Sequence, residues 1–210
     1  PVESYPIATM NALRDAMEYE SDKPGMHEGA GFMLCRLGNE SAAAQEAVVA
    51  SGGVMAVVRF AVPFGQPTLP GARGLLDGLM GAGGAVTEAA VDALVRSVST
   101  GSTEREIEAM SRELRGRLWD DPSLGALVHQ YHGIEALAAQ VSEPGKLRPA
   151  AAVALRSLAL CQPEYAEAVA SVLPGAEGLT GPALSTFITR RYADGSDVEA
   201  AVQAASGVAA

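Results

Sequence analysis

Apolar residues in the first third of the chain recur at helical spacing and stop at sharp breaks. From Glu28 to Gly38, the residues Phe32, Met33, Leu34 and Leu37 predict a helix largely buried between neighbours. Asn39-Glu-Ser41 interrupts it. Ala42 to Ala50 predicts a shorter helix with Ala43, Ala47 and Val48 on one side. Ser51-Gly-Gly53 then supplies a turn in which glycine takes a positive φ. Val54 to Val62 predicts a third helix, ended by Pro63 because the residue before a proline is pushed out of the α region. Three helices and two breaks make one unit.

The next unit is less regular. Gly71 to Met80 carries three glycines where a helix is wanted, each costing roughly 0.5–1 kcal/mol relative to alanine. Gly81-Ala-Gly-Gly84 makes a flexible joint, and Val86 to Val98 predicts one amphipathic helix in place of two. With Pro63, Pro67 and Pro70 upstream, residues 63–85 are expected to form a Gly/Pro-rich loop or hinge, the least stable stretch of the chain. At the edges, Ile7 to Met17 predicts a helix with no partner before it. Pro174 to Tyr192 would supply the helices of a last unit, and residues 193–210 a terminal Ala-rich segment with a helix over Asp197 to Ser206.

These units echo one another. Leu34, Val48, Gly53 and Val54 fall on Leu114, Val128, Gly133 and Ile134, all at 114 − 34 = 80. Leu34, Leu37, Glu46, Ala47 and Val48 fall on Leu155, Leu158, Glu167, Ala168 and Val169, all at 155 − 34 = 121. Two and three repeats of about 40 residues explain both offsets, and such a period marks a stacked helical array.

Composition supports helix. Hydrophobic residues make up 48% of the chain and aromatics only 5%, an Ala-rich, small-side-chain balance that favours helix over sheet. The 25 acidic and 15 basic residues leave a net charge of −10. That argues against a nucleic-acid partner, whose affinity rests on cationic contacts, and suits either solubility or a basic partner surface. Arg59 and Pro63 interrupt the best apolar run, so no transmembrane segment is expected. No charged-then-apolar signal sequence opens the chain, so the expectation is an intracellular, cytoplasmic protein, or an organellar one after removal of a transit peptide. Cys35 and Cys161 form no Cys-x-x-Cys pair and read as reduced thiols rather than a disulfide framework.

Chemistry-bearing patterns are sparse. His129, His132 and Glu135 follow at three-residue spacing and on one continuous helix would share a face suited to Zn²⁺. The 80-residue register instead puts His132 on Gly52, in the turn between helices, so no metal site is expected. Cys35 sits among Met33, Leu34 and Leu37, where burial makes a thiol inert rather than nucleophilic. Gly81-Ala-Gly-Gly84 lacks the Lys-Ser/Thr ending of a phosphate loop. Asp120-Asp-Pro122 and Asp194-Gly-Ser-Asp197 are turn and cap sequences. No enzyme, catalytic residue or cofactor is expected.

The string Gln45 to Phe60, a short helix ending at a Gly-Gly turn before a second helix, resembles the armadillo-repeat pattern. Ala154-Leu-Arg-Ser-Leu-Ala159 and Met33-Leu-Cys-Arg-Leu-Gly38 resemble that family's third helix. The resemblance implies an all-α, right-handed solenoid of about four three-helix repeats over residues 1–210, with third helices centred on Leu34, Leu76, Leu114 and Leu155. HEAT-type helical pairs are the alternative. In the peptide-binding members a Trp and an Asn repeat along the third helices. The matching positions here hold Phe32 and Arg36, Gly74 and Gly78, Arg112 and Gly116, and Val153 and Ser157, so that ladder is absent. Trp119 lies outside it and reads as an anchor in an inter-helix loop. What remains in the groove is mildly basic: Arg36, Arg112 and Arg115 could read a carboxylate-rich segment. The competing reading of Arg105, Arg112, Arg115 and Arg117 is an exposed helix laced with Glu104, Glu106, Glu108 and Glu113.

The function implied is a non-enzymatic adaptor that binds another protein through a groove lined by Phe32, Arg36, Arg112, Arg115, Val153 and Ser157. The alternative is an accessory subunit held inside a large assembly, its apolar ends covered by neighbours.

Overall fold

The computed structural model describes residues 7–18, 26–63, 68–101, 103–142 and 149–192. Among them lie twelve α-helices and no strand. The expected terminal segment, 193–210, falls outside the described residues. By packing, the chain divides into two compact units, one running to Ser97 and the other from Val98.

The first unit holds α1 (Ile7–Glu18), α2 (Met26–Gly38), α3 (Ala42–Ala50), α4 (Val54–Ala61), α5 (Ala72–Gly81) and most of α6 (Gly84–Thr100). The Ser41 hydroxyl caps α3 by accepting from the Ala44 N–H at 3.1 Å. Gly52, at φ +75°, turns the chain into α4. Val62 is extended ahead of Pro63 and closes α4. Helix α2 packs on α1, α3, α4 and α5, and two of its glycines admit the neighbours. A Cβ on Gly38 would sit 2.7 Å from a Leu75 methyl, and one on Gly31 2.7 Å from Leu69.

Residues 63–85 differ from the loop or hinge expected. They contain α5, which forms because Leu75, Leu76 and Leu79 are fully buried. Burying each is worth about 1.5–3 kcal/mol, which outweighs three glycines at roughly 0.5–1 kcal/mol apiece. One of those glycines has a packing reason, since a Cβ on Gly78 would lie 2.7 Å from the Gln45 amide nitrogen of α3. The joint that follows is a tied corner: Gly83 and Gly84 take positive φ, and the buried Thr87 hydroxyl accepts from the Gly83 N–H at 2.8 Å. The same hydroxyl faces the Leu79 and Met80 carbonyls at 3.1 and 3.0 Å. As the sequence predicts, α6 is one helix in place of two.

The second unit holds α7 (Glu104–Asp120), a 3-10 turn (Pro122–Leu124), α8 (Gly125–Gln130), α9 (Gly133–Ser142), α10 (Pro149–Cys161), α11 (Pro163–Val172) and α12 (Gly181–Tyr192). Helix α10 is central and packs against α7, α9, α11 and α12. Its alanines 150, 151, 152, 154 and 159 are all buried beside Leu155 and Leu158, so the neighbouring backbones approach closely.

The internal echo is structural as well as sequential. Adding 80 to the bounds of α2, α3, α4 and α5 gives 106–118, 122–130, 134–141 and 152–161, which fall on α7, the 3-10 turn with α8, α9 and α10. Two hydrogen bonds of the turn recur. Ser51 N–H donates to Ala47 O (3.0 Å) and Gly52 N–H to Val49 O (2.9 Å); 80 residues later Tyr131 donates to Leu127 (2.9 Å) and His132 to His129 (3.1 Å). His132, opposite Gly52, is at φ +61° and is the one non-glycine with positive φ among the described residues. At 121 the match covers α2 and α3, which fall on α10 and α11, and then fails. Gly175, Gly178 and Gly181 all take positive φ, so a turn replaces the counterpart of α4, and Pro174 to Tyr192 yields one helix rather than several.

No single described helix is long and apolar enough to cross a membrane; α3 and α4 pass that test only jointly, across a 108° bend.

Candidate functional site

A concave surface with convergent polar groups lies in the second unit, between α7 and α10. It is a half-open groove of about 350 Å³ lined by Arg115, Gly116, Trp119 and Asp120 from α7, and by Val153, Arg156 and Ser157 from α10.

Local sequence sets each wall. Helix α7 starts at Thr103, whose hydroxyl accepts from the Glu106 N–H at 3.1 Å, at the Thr-x-x-Glu spacing of a capping box. It stops at Asp121, whose carboxylate accepts from the Ser123 N–H (3.0 Å) and hydroxyl (2.6 Å) and so starts the following turn. The Asp120-Asp-Pro122 sequence is therefore cap chemistry, as predicted. Between these caps, Ile107, Met110, Leu114 and Leu118 are buried, which leaves Arg112, Arg115, Gly116 and Trp119 together on the outer face at i, i+3 and i+4 spacing. On α10 the buried alanine and leucine face fixes Val153, Arg156 and Ser157 on the rim. The Ser157 hydroxyl donates back to the Val153 carbonyl at 3.0 Å. Arg156 reaches sideways to α12, its Nη1 donating to Thr189 Oγ1 at 3.3 Å.

Of the six predicted groove residues, the structure brings Arg115, Val153 and Ser157 together. Arg112 is one turn along the same face of α7, exposed, with its guanidinium 3.2 Å from Glu108. Phe32 and Arg36 are exposed residues of α2, in the first unit. Arg117 is paired with Glu113 at 2.7 Å, and both side chains are largely covered rather than displayed on an open face.

Three groove residues escape the sequence reading: Trp119, Arg156, and Asp120, which the sequence places only in a turn and cap. Trp119 is not a loop anchor: it sits in the last turn of α7 and is 80% exposed. The signal that finds it is its spacing from Arg115 and Gly116, read with Asp121-Pro122 as the true helix stop. Arg156 is missed because a Trp/Asn register examines only the positions of Val153 and Ser157, and the residue between their turns falls outside it.

Elsewhere the titratable groups do not converge. His129 lies in the last turn of α8, with its ring 6.2 Å from that of Tyr165. His132 stands exposed in the turn, 3.7 Å from Glu135. Among the described residues no three His, Cys, Asp or Glu side chains are placed to hold a metal ion. Burial pushes the Cys35 thiol up to about 11 and that of the partly exposed Cys161 upward too, which disfavours the thiolate at both and, with its sulfur covered, leaves Cys35 inert at neutral pH.

No protein-family model matches this chain, and no curated protein is similar to it. Among solved structures, the chain is similar to three crystal structures of engineered proteins. The first is 18% identical with a TM-score of 0.48, over 90% of this chain and 74% of that one. The second is 17% identical with a TM-score of 0.46, over 93% and 51%. The third is 16% identical with a TM-score of 0.45, over 93% and 86%.

Proposed function

We propose that this chain is a non-enzymatic, armadillo-like helical repeat protein that binds another protein through the groove between α7 and α10. The repeat reading is supported by the helix order shared at an 80-residue offset and by the matched left-handed turns at Gly52 and His132. The observation that carries the binding reading is Trp119. An indole left 80% exposed forfeits burial of a large apolar side chain, and it sits on the rim of a groove holding two guanidinium groups. Tryptophan and arginine are the residues that dominate binding energy when a partner covers them.

The test is cross-linking coupled to affinity purification from cells that make the protein, with the full chain beside Gly116→Leu. Nothing lies within 4 Å of a Cβ at Gly116, so leucine fills the groove without disturbing α7. Cross-links on α7 and α10 that vanish in the variant support the reading; equal recovery by both proteins overturns it. A second reading, an accessory subunit built into a larger assembly, is favoured by the half-exposed apolar residues Ile7, Phe32 and Met33 of α1 and α2. It predicts contacts concentrated there and aggregation of the isolated chain.

A further inference from the structure

We propose that the α7–α10 groove is a carboxylate reader: it takes a short acidic segment of a partner protein, whose Asp or Glu side chains pair with Arg115 and Arg156 while an apolar side chain covers Trp119 and Val153. This rests on the protein-binding reading and specifies its chemistry.

The first support is a contrast along α7. Arg112 and Arg117 each have a glutamate four residues earlier, and both are paired, with Glu108 at 3.2 Å and Glu113 at 2.7 Å. Arg115 has Ser111 at that position and Trp119 four residues later. Arg156 of α10 has Ala152 and Leu160 at the same two places. The two arginines that face the groove thus have no carboxylate at i ± 4 on their own helices. Arg115 makes no ion pair among the described residues, and the partner of Arg156 is the neutral Thr189 hydroxyl. In a chain of net charge −10, two such cations against one carboxylate, Asp120, make a local inversion of sign. The guanidinium fork matches a carboxylate in two parallel hydrogen bonds.

Size and polarity narrow the occupant. About 350 Å³ is at the small end of ligand sites, which suits a few side chains of an extended segment rather than a folded domain. Gly116 leaves the floor open, and Trp119 with Val153 gives the groove an apolar half. Asp120 at the rim repels a second carboxylate and so sets which end of the segment carries the charge.

Trp119 is the single tryptophan of the chain, so its emission reads this groove and nothing else. The intact protein is titrated with a capped peptide of alternating Asp and Leu, with its Asn-Leu and Lys-Leu counterparts, and with a single-stranded oligonucleotide. The expected result is saturable change with the Asp-Leu peptide, weakened by salt. Arg115→Gln and Arg156→Gln should each weaken it roughly ten- to hundredfold, Asp120→Asn should tighten it, and Gly116→Leu should abolish it. Circular dichroism shows that each variant remains folded. Equal binding of the Asn-Leu peptide, or indifference to both arginine variants, sinks the carboxylate reading but leaves a peptide groove. Preference for the Lys-Leu peptide inverts it, and preference for the oligonucleotide replaces it with phosphate binding. If no ligand changes the emission and Gly116→Leu still recovers the same partners, the protein-binding reading of this groove fails as well.

Discussion

His132 offers a substitution whose effect can be worked out from the backbone alone. Its φ of +61° places an L-residue in the left-handed region, at a cost of roughly 1–2 kcal/mol. The side chain returns little: it is 84% exposed, and its 3.7 Å approach to a half-exposed Glu135 is a surface contact worth close to nothing. His132→Gly removes the strain. Against that, a glycine loosens the unfolded chain by about 0.4–1 kcal/mol. The net expectation is stabilisation by roughly 0.5–1 kcal/mol. The mirror change, Gly52→His, puts the same side chain into the equivalent turn 80 residues earlier. A Cβ there meets only Arg14, at an ordinary 3.5 Å, so the loss should be backbone strain, on the order of 1–2 kcal/mol. Urea unfolding followed by Trp119 emission isolates the second unit, where His132 lies, and circular dichroism follows both units. With a urea slope of about 1–3 kcal/mol/M, His132→Gly should raise the midpoint by a few tenths of a molar or more. A midpoint at or below that of the parent, with Gly52→His harmless, would show that the two turns are not equivalent and would remove the backbone argument for the repeat.

Two further expectations test the packing. Gly38→Ala and Gly116→Ala both add a methyl to a helix, yet they should differ in sign. At Gly38 the new atom would lie 2.7 and 3.0 Å from the two Leu75 methyls and 3.2 Å from Val48, so overpacking should cost about 1–3 kcal/mol. At Gly116 it meets nothing within 4 Å, and the helix should gain roughly 0.5–1 kcal/mol; thermal melts of the two variants compare them directly. The Cys35 thiol, raised from 9.0 to about 11, sets a pH dependence. Between those values the unfolded chain has lost this proton while the folded chain keeps it, so stability is full below pH 9 and falls as pH rises towards 11. The loss is roughly 2–3 kcal/mol. Urea midpoints across that window should fall more steeply for the parent than for Cys35→Ala, and equal slopes would refute the burial argument. A thiol reagent at neutral pH should label Cys161 well before Cys35.

What was legible in the sequence was local. The breaks at Asn39-Glu-Ser41, at Ser51-Gly-Gly53 and before Pro63 each rest on the chemistry of two or three residues, and each falls where it was expected. So does the single helix α6. Residues 71–81 were misleading for the opposite reason. Propensity penalises three glycines, but Leu75, Leu76 and Leu79 belong to a core assembled from α2 and α4, and Gly78 lies close under the Gln45 side chain of α3. Tertiary burial overrides local preference, and no window of ten residues contains that information.

The groove exposes a second limit. Periodicity finds the residues that a helix hides, because the buried stripe is what repeats. The residues that line the groove sit off that stripe, where nothing constrains them to recur, so Trp119 and Arg156 have no counterpart that an 80-residue echo could reveal. The position 80 residues before Trp119 holds Asn39, and the one before Arg156 holds Leu76. A signal exists nonetheless, in what the charges omit. The rule that Arg112 and Arg117 obey, a glutamate four residues earlier, is broken at Arg115 and, on α10, at Arg156. On the proposed reading, an arginine without a helical carboxylate, such as Arg115 with Trp119 at i + 4, is the cation that a carboxylate from outside the chain would meet. That inference needs only the sequence once α7 is known to run through Trp119, and it is the end of that helix, fixed by the Asp121 cap, that converts a charge pattern into a site.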